Sequence, residues 1–190
     1  RQRQMCIRDS ATTGDGQFSG YWKINYEGIS RCNDAITNLP KAPLSESKLA
    51  RLTAESKFMR AFFYYRLNMM YKGVPLYLEP AELDELVKGR NTEAEVWAQV
   101  ITDLTDAINS ADLPDKYATG DAAYGRVTKG AAYALRGKVY MWMNEWAKAE
   151  ADLRKVGDLG YGLFQGEYKQ LFKEANEQCE EMIFLSLIHI

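Results

Sequence analysis

Histidine is almost missing from these 190 residues; the single copy, His189, stands one residue from the C-terminal end. Nucleophilic catalysis by a Ser–His or Cys–His pair needs an imidazole base, and a histidine metal site needs several rings, so neither has anything to build on. Cysteine is scarce as well. Cys6, Cys32 and Cys179 lie too far apart for a C-x-x-C pair or a zinc pattern, and three is a poor count for a disulfide framework. Buried or inert thiols are the expectation. A basic excess is lacking: 24 Lys and Arg stand against 26 Asp and Glu, for a net charge of −2. A nucleic-acid surface needs the opposite balance to neutralise phosphates, and there is no polybasic run to hold an anionic membrane. No apolar stretch approaches the roughly 20 residues of a membrane helix, and the first ten residues hold no apolar signal-peptide core. Glycine-rich phosphate loops are absent; Gly120, Gly125 and Gly130 are spaced for turns and packing. No cofactor, metal site or catalytic residue is expected.

What remains is an ordinary globular composition, 46% apolar and 26% charged, with 12 tyrosines and 4 tryptophans. A chain of this length is expected to bury about 70% of the surface its extended form would expose. Large rings with a polar handle suit helix packing, and they also suit stacking on sugars. The two ends read as foreign. Residues 1–10 are polar and aperiodic, and 186–190 stop in mid-pattern; both resemble translated sequencing-adapter read-through. The expected domain is therefore 11–185, with 1–10 a non-native leader and 186–190 a non-native tail.

Along that domain the apolar residues recur at helical spacing, interrupted at the five prolines, 40, 43, 75, 80 and 114. Residues 11–19 read as a loop. A first helix is expected from Gly20 to Leu39, with Trp22, Tyr26, Ile29, Cys32 or Asn33, and Ile36 on one face. Ser45 is a good N-cap for a second helix that runs to Tyr71. Ala54 and Ala61 leave room there for a neighbouring helix, and Gly73 stands where a left-handed C-terminal cap is wanted. Residues 74–78 are then extended, too isolated to form a sheet. Thr92-Glu93-Ala94-Glu95 is a capping box opening a third helix, whose buried face is Val96, Trp97, Val100, Ile101, Leu104, Ala107 and Ile108; Leu113-Pro114 closes it. After a loop at 115–126 come a fourth helix, Thr128 to Met143, rich in small residues, and a fifth, Trp146 to Val156. A short helix is expected between Tyr168 and Glu174, and extended chain at 182–185. Tyr133, Gly137, Tyr140, Ala149 and Leu153 fall on the aromatic, small, aromatic, small and large positions of a tetratricopeptide-like repeat. The fold class is therefore all-α: a tetratricopeptide-like bundle of helical hairpins, an α–α superhelix with irregular loops.

Particular stretches also carry a family resemblance. Arg60-Ala61-Phe62-Phe63-Tyr64-Tyr65-Arg66-Leu67, with the exit Tyr71-Lys72-Gly73-Val74-Pro75-Leu76, resembles the second helix of the SusD-like (RagB/SusD) family. Trp22, Tyr26, Gly28-Ile29, Arg31 and Asn33-Asp34-Ala35 resemble its first helix, and Glu95-Val96-Trp97 through Leu113-Pro114 its third. Gly125 to Ala132, and on to Trp146-Ala147-Lys148-Ala149, resemble its fourth and fifth. The matches keep the family's order over most of residues 20–160. The resemblance implies an oligosaccharide-binding lipoprotein on the outer face of a Bacteroidetes-type outer membrane. Its partner would be a TonB-dependent, SusC-like transporter. Its only hold on the membrane would be a lipid anchor that this chain does not include. A general tetratricopeptide-type scaffold that grips a protein partner is the alternative, and an enzyme the third.

The site candidates are aromatic, because a sugar's C–H face stacks on a flat ring. Phe18 and Tyr21 lie on the approach to the first helix, and Tyr117 and Tyr124 in the loop before the fourth. Alanine at Tyr21 is expected to lower glycan affinity without lowering the melting temperature. Trp22 belongs to the buried stripe and is expected in the core. The carboxylates Glu93 and Glu95, or Glu180 and Glu181, lie at a cap and in a polar run, so a solvated role fits them better than glycoside cleavage. Arg60 is expected in an ion pair with Glu55 or Asp103, Arg126 in a similar pair, and Met69, Met70, Met141 and Met143 in the core.

Overall fold

A computed structural model describes residues 16–80 and 87–184. The foreign-looking ends, Cys6 and His189 lie outside the described residues. Five α-helices follow one another: α1 Gly16–Asn38, α2 Glu46–Tyr71, α3 Glu93–Asn109, α4 Lys129–Trp142 and α5 Trp146–Asp158. Among the described residues there is no strand. Each helix packs on the next in sequence. Neighbours run antiparallel: Tyr21 near the start of α1 meets Arg66 near the end of α2, Asn68 near the end of α2 meets Glu93 at the start of α3, and Lys148 near the start of α5 stands over the ring of Tyr140 near the end of α4. This is the stacked-hairpin architecture expected.

The helix starts are written in their caps. Ser45 accepts from the Lys48 amide and Thr128 from the Ala131 amide. Thr92 and Glu95 form a complete capping box, the Glu95 carboxylate accepting from the Thr92 amide at 2.7 Å. α2 ends through two left-handed residues, Lys72 (φ 56°) and Gly73 (φ 98°). The second must be glycine, since a Cβ there would stand 2.5 Å from the Asn91 carbonyl oxygen.

α2 is flanked by α1 on one side and α3 on the other, so its buried residues spread around its axis: Ala54, Phe58, Ala61, Tyr64 and Leu67. α3, between α2 and α4 in the stack, buries a single stripe, Val96, Trp97, Val100, Leu104, Ala107 and Ile108. α4 and α5 close on each other where side chains are smallest. Ala149 is buried, and a Cβ on Gly137 would stand 2.9 Å from Leu153 Cγ, as the repeat pattern requires.

Three forked ion pairs tie the elements together, two of them helix to helix and one from the loop before α4 to α2. Arg60 and Asp103 join α2 to α3. Arg136 and Asp152 join α4 to α5, and Arg136 also donates to Thr105 of α3 at 2.8 Å. Arg126 donates to Glu55 of α2 through two nitrogens. Of the two acids open to Arg60, the structure takes Asp103.

Several boundaries differ from expectation. α1 begins at Gly16, so Phe18 lies in the helix and not in a loop. Tertiary docking accounts for the extra turn: the Tyr71 hydroxyl at the end of α2 donates to the Phe18 carbonyl at 2.7 Å. α5 runs to Asp158, past Gly157. Between Tyr168 and Glu174 there is no single helix but two 3₁₀ turns, Tyr168–Gln170 and Glu174–Asn176. Met69 and Met143 pack on the core, whereas Met70 near the end of α2 and Met141 near the end of α4 are 48% and 44% exposed. Residues 159–184 fold back over the helices, and Phe184 ends against Phe58 and Phe62, ring centroids 5.4 and 6.1 Å away.

Candidate functional site

The chain leaving α2 becomes extended over 74–78, with no regular partner strand among the described residues. Buried peptide groups need hydrogen bonds, and here α1 and α2 supply them from side chains. The Tyr26 hydroxyl donates to Pro75 O at 2.7 Å. The Tyr64 hydroxyl accepts from the Tyr77 amide (2.7 Å) and donates to the Tyr77 carbonyl (2.9 Å). The Asn33 amide nitrogen donates to Tyr77 O (2.9 Å) and Glu79 O (3.2 Å), and Arg60 Nη1 to Leu78 O (2.9 Å). Burial pushes the Tyr26 and Tyr64 hydroxyls up from their ordinary values, so both stay protonated donors.

Between this strap and α1 lies a groove of about 460 Å³, lined by Trp22, Tyr26, Ile29, Ser30, Asn33, Pro75, Tyr77, Glu79, Val87 and Lys88. Trp22 and Tyr26 have ring centroids 4.8 Å apart, and Tyr26 meets Tyr77 edge-on at 5.9 Å. Lys88 Nζ stands 5.1 Å from the Tyr77 ring centroid. Rings thus share the groove with an amide, a hydroxyl, a carboxylate and an ammonium. Trp22 meets the core expectation by packing edge-on to Tyr71 at 4.9 Å, and it lines the groove as well.

The four aromatic candidates are divided. Phe18 and Tyr21 sit at the α1–α2 end. Arg66 Nε donates to the Tyr21 hydroxyl at 3.1 Å, and the Arg66 guanidinium carbon stands 4.8 Å from the Tyr21 ring centroid. Tyr117 and Tyr124 line a cleft of about 10 Å³ with Lys116, Arg126 and Tyr161, which is room for a single water at most. The Tyr124 hydroxyl donates to the Cys179 carbonyl at 3.1 Å, while the Tyr117 hydroxyl is buried without a hydrogen bond. Both hydroxyls are pushed up chiefly by burial. Glu55, beside Tyr117, and Arg66, beside Tyr21, are 11 residues apart on α2, about 16 Å of helix, so one sugar ring cannot touch both pairs. None of the four lines the groove. Trp22, Tyr26, Ile29 and Asn33 read from the sequence as a packing face, and residue 77 as part of an isolated extended segment; that segment, with no sheet to join, was the one available signal of the groove.

Three of the four paired carboxylates have structural partners. Glu95 caps α3, Glu93 meets Lys72 at 2.9 Å, and Glu181 accepts from the Phe164 amide at 3.0 Å. Among the described residues no group of three His, Cys, Asp or Glu could hold a metal ion, and no helix is long and apolar enough to cross a membrane.

Comparison with known proteins places these elements in a family. The SusD-like family described as "Starch-binding associating with outer membrane" matches residues 2–141, and the chain belongs to it. A SusD-like protein of Formosa agariphila is 29% identical over 168 residues, 87% of this chain and 31% of its own length. The starch-binding protein SusD of Bacteroides thetaiotaomicron is 27% identical, over 72% of this chain and 24% of its own length. Among solved structures, a laminarin-binding SusD-like protein superposes with TM-score 0.80 at 36% identity, covering 86% of this chain and 36% of that one. The chain thus spans about a third or less of the length of the relatives it matches. The family description and two of these relatives' names refer to glycan binding, starch for the family and for SusD and laminarin for the solved structure.

Proposed function

We propose that this chain is the helical part of a non-catalytic glycan-binding protein, and that the groove between α1 and the strap takes a stretch of oligosaccharide. The observation that carries the reading is the composition of that groove: three rings, Trp22, Tyr26 and Tyr77, beside Ser30, Asn33, Glu79 and Lys88. Ring faces accept the C–H side of a sugar, and the polar groups pair its hydroxyls. The relatives' names support the same class of ligand, laminarin for one and starch for another. Tyr77→Ala tests it, because the hydrogen bonds holding residue 77 to Tyr64 and Asn33 are main-chain at 77 and survive the change. The change also gives up the Tyr26 ring contact and the Lys88 amide bond, so calorimetry with laminarihexaose and maltohexaose is run well below the variant's melting temperature, where it should show affinity lost by about tenfold or more. Equal affinity would remove the groove from the binding site.

We further infer placement on the extracellular face of the outer membrane, through a lipid anchor, beside a TonB-dependent transporter. Family membership supports this, and so does the surface of the α4–α5 hairpin, where Met141, Trp142, Trp146 and Leu153 are 41–61% exposed. Such a contiguous apolar patch suits a protein partner. Trp146→Glu should abolish co-purification with the transporter and leave glycan affinity intact; retained co-purification would exclude this face.

A further inference from the structure

We infer that Tyr64, Arg60 and Asp103 are positioning residues for the groove: none of them lines it, and together they set where its outer wall stands. For affinity, this rests on the glycan reading above. A strand inside a sheet is located by its neighbours' backbones. The strap has no such neighbour among the described residues, and its carbonyls at 75, 77, 78 and 79 are taken by side chains of α1 and α2. The side chains that make these bonds, together with Asn91 on the Leu76 amide, contribute to the distance between Tyr77 on the wall and Trp22 and Tyr26 on the floor.

Three of these side chains are linked in series. Asn33 is the clamp nearest the groove, its nitrogen on the carbonyls of 77 and 79. The amide is held in that orientation because its oxygen accepts from Arg60 Nη1 at 3.0 Å. Arg60 Nη1 serves both Asn33 and Leu78 O only while Nε and Nη2 are held by Asp103, at 2.8 and 2.7 Å. Asp103 sits on α3, which contributes no residue to the groove. Tyr64 is a second, independent fastener, with one hydroxyl closing on both the amide and the carbonyl of Tyr77. Loss of the Asp103 charge leaves the guanidinium buried with a weaker hold and free to turn. The Asn33 amide then loses its orientation, and the strap moves off α1. Binding to a loosened wall costs the ordering of that wall.

Asp103→Asn and Tyr64→Phe in the protein test this, with amide hydrogen exchange at Leu76 and Tyr77 and calorimetry against laminarihexaose and maltohexaose. The Tyr77 amide bonds Tyr64 and the Leu76 amide bonds Asn91, so neither loses its own acceptor in Asp103→Asn. Both should nonetheless exchange faster in that variant, by at least about tenfold more than Val139 of α4, whose acceleration reports the loss of global stability alone. Whichever oligosaccharide the parent protein binds should bind about tenfold more weakly to each variant. Exchange at 76 and 77 accelerated no more than at Val139 in Asp103→Asn, or faster exchange with undiminished affinity, overturns the proposal. If Asp103→Asn fails to fold, Tyr64→Phe decides, because Tyr64 also lies outside the groove lining. If the parent protein binds neither oligosaccharide, the glycan reading fails, and the exchange data alone judge the positioning.

Discussion

Arg60 and Asp103, 43 residues apart, meet as two flat groups edge to edge, Nε to Oδ2 at 2.8 Å and Nη2 to Oδ1 at 2.7 Å. Their side chains are 7% and 2% exposed. Burial of the guanidinium works against its charge, yet the hydrogen bonds and field of Asp103 hold its pKa above the ordinary arginine value. A buried pair is a weak source of net stability, because desolvation offsets most of the attraction. Its stronger effect is on register. Only one placement of α3 along α2 lets the carboxylate meet the fork while Asn33 and Leu78 O meet the remaining nitrogen.

A double-mutant cycle follows from that pairing. Asp103→Ala alone should cost about 3–5 kcal/mol, since it strands a buried cation. Arg60→Met with Asp103→Leu should cost less than the two single changes summed, by about 1–3 kcal/mol. Urea unfolding of the four proteins measures it. Additive losses would mean that the pair is not coupled.

The choice between Glu55 and Asp103 also marks what could be read from the residues alone. Both acids were open to Arg60. Glu55 is five positions away on the same helix, about 140° around the axis, and so faces elsewhere, toward Arg126. Helix starts at Ser45, Thr92 and Thr128 were legible because caps are local chemistry, and the α3 stripe because one buried face repeats with the helical period. The first turn of α1 was not, since its glycines, Gly16 and Gly20, oppose helix and only docking on Tyr71 supplies the reason for it. Nor was the exposure of Met70 and Met141, which depends on where neighbouring helices stop. The groove was illegible for the same cause: it exists only once the strap is folded back onto α1.

Tyr21→Ala shows how docking changes an expectation. The ring lies under the Arg66 guanidinium and its hydroxyl accepts from Arg66 Nε. The substitution therefore removes a contact between α1 and α2 and should lower the melting temperature, by a stability loss of about 1–3 kcal/mol. An unchanged melting temperature would return Tyr21 to the surface role suggested by its position.

Gly28 allows α1 to approach α2. A Cβ there would stand 2.5 Å from two carbons of the Phe63 ring. Alanine gains about 1 kcal/mol of helix propensity, but displacing a ring costs about 1–3 kcal/mol, so Gly28→Ala should destabilise on balance. Phe63→Leu in the same chain should recover part of the loss, read as the urea midpoint. A Gly28→Ala protein as stable as the parent would show that the ring moves without cost.

The Glu95 carboxylate is held below the ordinary glutamate value, first by the Thr92 amide and then by its hydroxyl. A depressed carboxylate contributes stability above its unfolded pKa and loses it as pH falls through the folded one. Glu95→Gln should therefore melt below the parent at neutral pH, and the two curves should converge in acid, below the ordinary glutamate range. A gap independent of pH would assign the effect to shape and not to charge.

At the alkaline end Cys32 acts first. Burial pushes its thiol from 9.0 up to about 11, against a smaller downward pull from Arg60. The sign is that of an acid kept protonated by folding. Its contribution is complete below about pH 9, where the unfolded thiol is still neutral, and is lost as pH rises toward 11. The Tyr26 and Tyr64 hydroxyls, raised by burial as well, extend the decline to higher pH. Stability by urea titration should thus begin to fall near pH 9 and steepen above 10. Cys32→Ala lowers stability at pH 7 by the packing it removes, but its curve should begin to fall later and less steeply between pH 9 and 10, because only the tyrosines, whose ordinary value is 10.0, remain to drive the decline. In the parent at pH 8, peptide-resolved alkylation should mark Cys179, which is half-buried, well before Cys32. Early labelling of Cys32, or an alkaline slope unchanged in Cys32→Ala, would mean that the α1–α2 interface opens far more readily than its packing implies.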